Sequence, residues 1–575
     1  MAANTSYQRL HPLPELKGSL LLKYRLAKAL TLISLLAIIS MAIYSIFNPN
    51  LNFVSDKEED TTTTTTTTAG AVNNKAQPNI LASQKDKCYL PNELKIRKSE
   101  DGTYTPPSPH YSLLRAVHFA SNEEYQKYCQ LYDTVLDTFS DVWPYNQNGE
   151  CGNWQKQYIG LHKKNMKMLK NYQAGIFPDK KDAAMIENRP RFVSYICKEV
   201  PKDSNRGCGG LADRMGGMIS TFFYALLTDR AYLLDWAPMN PLPLEAVWER
   251  PHIDWSHDPE EMESLFTIND GEEEENPYLG YQKVDTLNKK LKVLTSIMFP
   301  DGADTDFKDL WNGTYVEVRS NRGYIIRTFN QSPKYRKMLN EMGLTKENTF
   351  RCLTNFLFQP TTGSRRFLNA YKRLFEMESV LSIGIQIRTD DNALANPQND
   401  LNTMEKWRHF FKCAGELAAY KKQSHHRHIV FFLVTDSHHL REEFVNLNEN
   451  KEAIRDYFGE EVADISSLII TGLPIEHIEP DQIAKYIHVE DPKAVNLERM
   501  LPGVNSAYME NWLLGETQYR VISIQGYGKM ASFYSGDDRT SISMPKPSLK
   551  NNLPACNTDD VFTTFDWLST QWSLG

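Results

Sequence analysis

Residues 380–388 read Val380-Leu381-Ser382-Ile383-Gly384-Ile385-Gln386-Ile387-Arg388. No charge precedes Arg388, and Val, Leu and Ile fill five of the eight positions before it, which predicts a buried strand. Ile429–Val434 and Leu468–Ile470 read as further buried strands, and Tyr232–Asp235 and Tyr519–Ile524 also read as strands. Helical patterns separate them at Leu211–Thr228, Trp407–Tyr420 and Asn505–Gly515. Short apolar strands alternating with amphipathic helices imply parallel β/α units. Two such regions, about 190–370 and 375–550, predict an α/β fold of two Rossmann-like lobes with a cleft between them. In such sheets, ligands lie beyond the carboxyl ends of the strands.

Working outward, 190–374 is expected to form the N-terminal lobe, and 375–575 the C-terminal lobe with a closing segment. Residues 88–189 read as a helical extension, with helices at Glu123–Phe139 and Asn153–Phe177. Residues 48–87 contain eight consecutive threonines (Thr61–Thr68) and little that packs, so they read as a flexible stem that could carry O-glycans. Ala29–Phe47 carries no charge and as a helix would span about 28 Å, close to the thickness of a bilayer core. Arg9, Lys17, Lys23, Arg25 and Lys28 precede it, and Asp56, Glu58, Glu59 and Asp60 follow it. The positive-inside rule makes 1–28 a cytoplasmic tail, 29–47 a transmembrane signal-anchor and everything after it luminal. A cleaved signal peptide fits less well, because the apolar run is long and no small-residue cleavage site follows.

The 575 residues are 41% hydrophobic and 24% charged, the composition of a folded body rather than a disordered scaffold. A net charge of −8 with no basic block argues against a nucleic-acid partner. All eight cysteines (88, 129, 151, 197, 208, 352, 413 and 556) follow the apolar run, where an oxidising compartment permits disulfides, but spacing does not choose the pairing. Asn312 and Asn330 begin sequons on the same side.

Four strand-to-helix junctions carry candidate chemistry. In Gly207–Gly217 a glycine turn opens a helix, so Gly209 and Gly210 can bring N–H groups close to an anion, with Asp213 and Arg214 in the first turn. A plain packing turn is the competing reading. Arg388 closes a buried strand, where a guanidinium needs partners; its planar fork suits a pyrophosphate, and an ion pair with Asp390 or Asp391 is the alternative. Asp436 ends the strand Ile429–Val434, where it could accept hydrogen bonds from a ribose or base, or cap the next helix. Ser523–Ser532 is another strand-to-helix turn, with small residues and hydroxyls able to meet phosphate.

Other features rank lower. Asp304-Thr305-Asp306 matches the DxD of metal-bound diphosphate sites, but it follows Gly302-Ala303 rather than a strand and reads as a surface loop. His425, His426, His428, His438 and His439 flank one strand instead of sharing a helix face, which predicts a solvated cluster rather than a metal site. No HExxH, GxSxG or P-loop occurs, which removes the common protease, lipase and nucleotide-kinase readings.

The stretch Cys208–Trp236, together with GIQIR at 384–388 and the Gly526-Tyr527-Gly528 turn, resembles the motif blocks of plant xyloglucan-type fucosyltransferases. More distantly, the motif order is similar to that of alpha-1,6-fucosyltransferases and protein O-fucosyltransferases. The resemblance covers about residues 190–550. It implies a GT-B fold, GDP-fucose as donor, inversion at the anomeric carbon, no metal or other cofactor, and a glycan or polysaccharide acceptor; with the signal-anchor read above, a single-pass type II protein of the Golgi membrane is expected. A homodimer is left open. Carried over by position, Arg388 would grip the diphosphate, and Gln386 stands where alpha-1,6 relatives place a guanine-contacting histidine. Asp436 would lie near the nucleoside, Ser523, Tyr527 and Gly528 near the phosphates, and Asp213 and Arg214 along the acceptor-side wall.

The pattern also departs from those relatives. Thr389 replaces a second arginine, and Asn396 stands where a glutamate serves as base. Asp213, Asp390 and Asp391 are therefore the candidates for deprotonating an acceptor hydroxyl. A transferase using another nucleotide sugar or a sulfate donor, and a non-catalytic carbohydrate-binding membrane protein, are the alternatives; Gly207–Arg214 has no lysine of the kind a sulfotransferase turn would need.

Overall fold

The computed structural model describes residues 87–96, 98, 103–135, 149–179, 182–197, 209–236, 244, 247–268, 276–389, 393, 397–475, 497–548 and 553–571. The expected cytoplasmic tail, membrane segment and nearly all of the stem lie outside the described residues. Among the described residues no helix is long and apolar enough to cross a membrane.

Among the described residues the strands are β1 (Phe192–Ile196), β2 (Ala231–Asp235), β3 (Trp248–Glu249), β4 (Tyr281–Asp285), β5 (Tyr315–Arg319), β6 (Gln359–Pro360), β7 (Val380–Ile387), β8 (His428–Thr435), β9 (Ser466–Ile469), β10 (Tyr519–Ser523) and β11 (Ser541–Met544). They form two larger sheets, of order β2-β1-β5-β4 and β11-β10-β7-β8-β9, and a small β3-β6 pair. Every pairing within the two larger sheets is parallel. The α/β architecture with two parallel sheets is therefore as the sequence predicts. At the centre of the second sheet, β7 and β8 pair over eight residues each, all of them buried, which is why β8 reads as an apolar run from Ile429 to Val434 and β7 carries no charge.

The principal helices are α1 (Tyr111–His118), α2 (Asn122–Val135), α3 (Trp154–Gln173), α4 (Leu211–Leu227), α5 (Thr362–Phe375), α6 (Arg408–Lys421), α7 (His438–Asn446), α8 (Leu497–Glu516), α9 (Gly526–Ser535) and α10 (Phe565–Gln571). The N-terminal helices serve both halves. α1 and α2 pack on α5, and α1 also on β9, whereas α3 packs on β2. α5 precedes the expected lobe boundary, yet it packs on β7 and α8. α8 lies close on β7 because position 384 is glycine: a Cβ there would come within 2.6 Å of Leu514 Cδ1 and 2.7 Å of Thr517 Oγ1.

Disulfides Cys88–Cys129, Cys151–Cys352 and Cys413–Cys556 staple the chain, and Cys197 is also disulfide-bonded. The second of these ties the residues just before α3 to the helix Thr349–Leu357 across 201 positions of sequence.

Candidate functional site

The carboxyl ends of β7, β8 and β10, the segment after β9, and one face of α8 meet the start of α4 around a cleft of about 440 Å3. β7 contributes Gln386, Ile387 and Arg388, and β8 contributes Val434, Thr435 and Asp436. Pro474 and Ile475, then Ser506, Ala507 and Glu510, then Ile524 to Tyr527 complete that side. Gly210 to Asp213 face them from the other lobe.

Two helices begin on this cleft without a side-chain cap. α4 starts at the N-cap Gly210, and α9 at the N-cap Gln525, whose side chain makes no capping hydrogen bond. Their first-turn N–H groups and the positive ends of their dipoles are thus available to an anion. Gly209 permits the α4 turn with φ +80°; a Cβ there would also strike the Asp213 carboxyl, at 2.5 Å from Oδ2.

Arg388 lines the cleft, its side chain 20% exposed and ion-paired with Asp436. Asp436 also accepts the Thr389 N–H at 2.7 Å, and the Arg388 N–H donates to Ser523 Oγ at 3.0 Å. Burial pushes the Asp436 carboxyl up from its ordinary value, and the neighbouring guanidinium opposes that rise. Below the turn, Asp400 accepts hydrogen bonds from Ser437 Oγ at 2.6 Å, Asn402 Nδ2 at 2.8 Å and the His439 N–H at 3.3 Å. Burial alone would raise Asp400, but these bonds hold it below the usual carboxylate range.

Several expectations need correction. Asp436, expected to meet a ribose or base, is ion-paired with Arg388, whereas Asp390 and Asp391, the alternative partners weighed for that guanidinium, lie outside the described residues. The cap of α7 is Ser437, whose hydroxyl accepts the Leu440 N–H at 3.0 Å. Arg214 does not line the cleft: it is fully buried, donates to the Gly209 carbonyl at 2.8 Å and lies 4.6 Å over the Trp236 ring. Ser523 is 3% exposed, and its hydroxyl stitches β10 to β7 between the Arg388 N–H and the Gln386 carbonyl. Tyr527 lines the cleft, but its hydroxyl donates to the Ala507 carbonyl at 2.6 Å. Gly528 lies beneath, where a Cβ would come within 2.5 Å of Gln386 Oε1. Gln386 lines the cleft while its Oε1 accepts the Ser523 N–H at 3.2 Å.

Gly210 and Asp213 line the wall where the sequence places them; Asp390, Asp391 and Asn396 lie outside the described residues. The DxD segment is a surface turn in which Asp306 caps the short helix Phe307–Leu310. Of the five histidines, His428 is buried, His425 and His426 lie ring to ring at 4.1 Å, and His438 and His439 begin α7.

The sequence reading missed Glu510, which lines the cleft, and the buried Arg441 and Thr471 that hydrogen-bond to it. It also missed Gln525, whose Oε1 is buried and has no hydrogen-bond partner among the described residues. Glu510 sits in an ordinary helical pattern, and nothing local marks it as inward-facing.

No protein-family model and no curated protein matches the chain. Solved structures do resemble it. An Arabidopsis thaliana FUT1 mutant in complex with GDP aligns at 16% identity over 68% of this chain and 77% of that one, with a TM-score of 0.43. NodZ alpha-1,6-fucosyltransferase co-crystallized with GDP aligns at 14% identity over 60% of this chain and 92% of that one, with a TM-score of 0.30. Fucosyltransferase NodZ from Bradyrhizobium aligns at 12% identity over 60% and 93%, also with a TM-score of 0.30.

Proposed function

We propose that the chain is a fucosyltransferase of GT-B architecture that moves L-fucose from GDP-fucose to a glycan or polysaccharide hydroxyl, with inversion and without a metal. One observation carries this reading: a fixed guanidinium, Arg388, and two uncapped helix starts, at Gly210 and Gln525, share one cleft between two parallel-sheet lobes. Such a site suits a nucleoside diphosphate leaving group. The resemblance of the Cys208–Trp236 and 384–388 blocks narrows the donor to GDP-fucose.

In the proposed reaction the acceptor oxygen bonds to the anomeric carbon while the carbon–phosphate-oxygen bond breaks, and GDP departs with that electron pair. Arg388 and the helix N–H groups meet the charge that develops on the diphosphate. Three described carboxylates line the cleft. Arg388 holds Asp436 and Arg441 holds Glu510, which suits both to positioning. Asp213 stands on the opposite wall and is assigned to take the acceptor's proton. We further place the body in the Golgi lumen, anchored by 29–47. Transfer of radiolabelled fucose from GDP-fucose to a panel of glycans tests the reading. Arg388→Ala should fold and lose transfer, and near-normal turnover would contradict it.

A further inference from the structure

Glu510 on α8 and Arg441 on α7 form an ion pair with side chains only 7% and 6% exposed. Arg441 Nη2 donates to both Glu510 oxygens, at 2.8 and 3.1 Å, and to the Thr435 carbonyl at 3.4 Å. Its Nη1 donates to the Leu473 carbonyl at 2.6 Å, and the Thr471 hydroxyl donates to Glu510. Each bond ends next to a cleft residue. Thr435 precedes Asp436, Leu473 precedes Pro474, and Glu510 lies one turn after Ser506 and Ala507 on α8. One guanidinium therefore ties together three of the elements on one side of the cleft: the end of β8, the segment after β9, and α8.

As a pure stabiliser such a pair is poorly chosen, because the desolvation of two buried charges roughly cancels their attraction, and an apolar pair could pack as well. What the planar fork adds is direction: donors at fixed angles reach a carboxylate and two carbonyls together. We propose that Arg441 and Glu510 are positioning residues that hold Asp436, and through it the Arg388 guanidinium, in register with the wall at 474–475 and α8, so that the cleft is set for a nucleoside diphosphate. The inference rests on the donor-cleft reading above.

The test replaces the pair by apolar residues in the full chain, Arg441→Met with Glu510→Leu, and titrates GDP calorimetrically well below both melting transitions. The double variant should melt close to the parent yet bind GDP about tenfold more weakly or worse. Equal affinity in the folded double variant overturns the proposal and leaves the pair a packing device. Should that variant fail to fold, Glu510→Gln keeps the shape and the Thr471 contact while removing the charge. It should weaken GDP about threefold, and unchanged affinity overturns the proposal. A parent that does not bind GDP overturns the donor-cleft reading and this inference together, whereas a parent that binds beside an unaffected variant overturns this inference alone.

Discussion

The Arg388 guanidinium and the Asp436 carboxylate are paired across the adjacent ends of β7 and β8, where Ile387 and Thr435 are the last register partners. The pair holds a long, flexible side chain at the mouth of the cleft, so that less of its freedom is lost when an anion arrives. Asp436 reinforces this by accepting the Thr389 N–H, which fixes the turn that follows Arg388.

Asp436→Asn should therefore weaken the donor without unfolding the chain. The amide oxygen can still accept the Thr389 N–H, but the charge that orients Arg388 is gone. The KM for GDP-fucose should rise about tenfold, with a smaller change in kcat. A steady-state titration of donor at saturating acceptor checks this.

Asp213→Asn should separate chemistry from binding. Transfer should fall by about 10²- to 10⁴-fold, the usual contribution of a positioned base, while GDP affinity stays near that of the parent. Transfer within a factor of a few of the parent would remove Asp213 from the reaction and return attention to Asp390 and Asp391.

Ser523→Ala should behave as a structural change. Its hydroxyl bridges two strands, so the loss is about 1 kcal/mol of stability, with transfer largely kept at temperatures below the melt. Gly528→Ala should be worse. The new methyl would press on Gln386 Oε1 at 2.5 Å and on Ile522 Cβ at 2.9 Å, and overpacking of this kind costs about 1–3 kcal/mol. Thermal melts of both variants beside the parent give the comparison.

Asp306 should affect acid stability and not transfer. Burial alone would raise its carboxyl, but the Lys334 ammonium, the Tyr335 hydroxyl at 2.6 Å and the Lys308 N–H at 3.0 Å bring it down to about 2 from 3.8. A folded value below the unfolded one means the contribution is complete above about pH 4 and is lost as pH falls toward 2. Asp306→Asn should lower stability at neutral pH and flatten the acid limb between those values. Fucose transfer by the folded variant should be unchanged, which separates this turn from a metal-binding DxD.

Much of the fold was legible because its central strands are buried on both faces. β8 is apolar from Ile429 to Val434, β7 carries no charge although Ser382, Gly384 and Gln386 interrupt it, and β10 keeps Val521 and Ile522 beside the buried Arg520. Position in the sheet did not decide the rest: the edge strands β2 and β9 were read, whereas β1 and β5 inside the first sheet and the edge strands β4 and β11 were not. β4 is Tyr-Gln-Lys-Val-Asp with only Val284 buried, and β11 is four residues of serine, isoleucine and methionine, so neither carries a run long enough to stand out. In the site, glycine turns and a strand-end arginine were readable because backbone geometry and charge make them unusual locally. What the hydroxyls and the buried carboxylates do was not. Ser523 is spent on a strand 137 residues away in sequence, and Glu510 on a helix 69 away, so only the folded chain shows which partners they meet.

The central claim is that Arg388 holds a nucleoside diphosphate, and its most direct test is calorimetric titration of GDP into the full chain and into Arg388→Ala. The parent should bind, and the variant, with an unchanged melting profile, should bind at least about a hundredfold more weakly, the loss expected of a charge-assisted bidentate contact. GDP affinity unchanged in the folded variant would contradict the account.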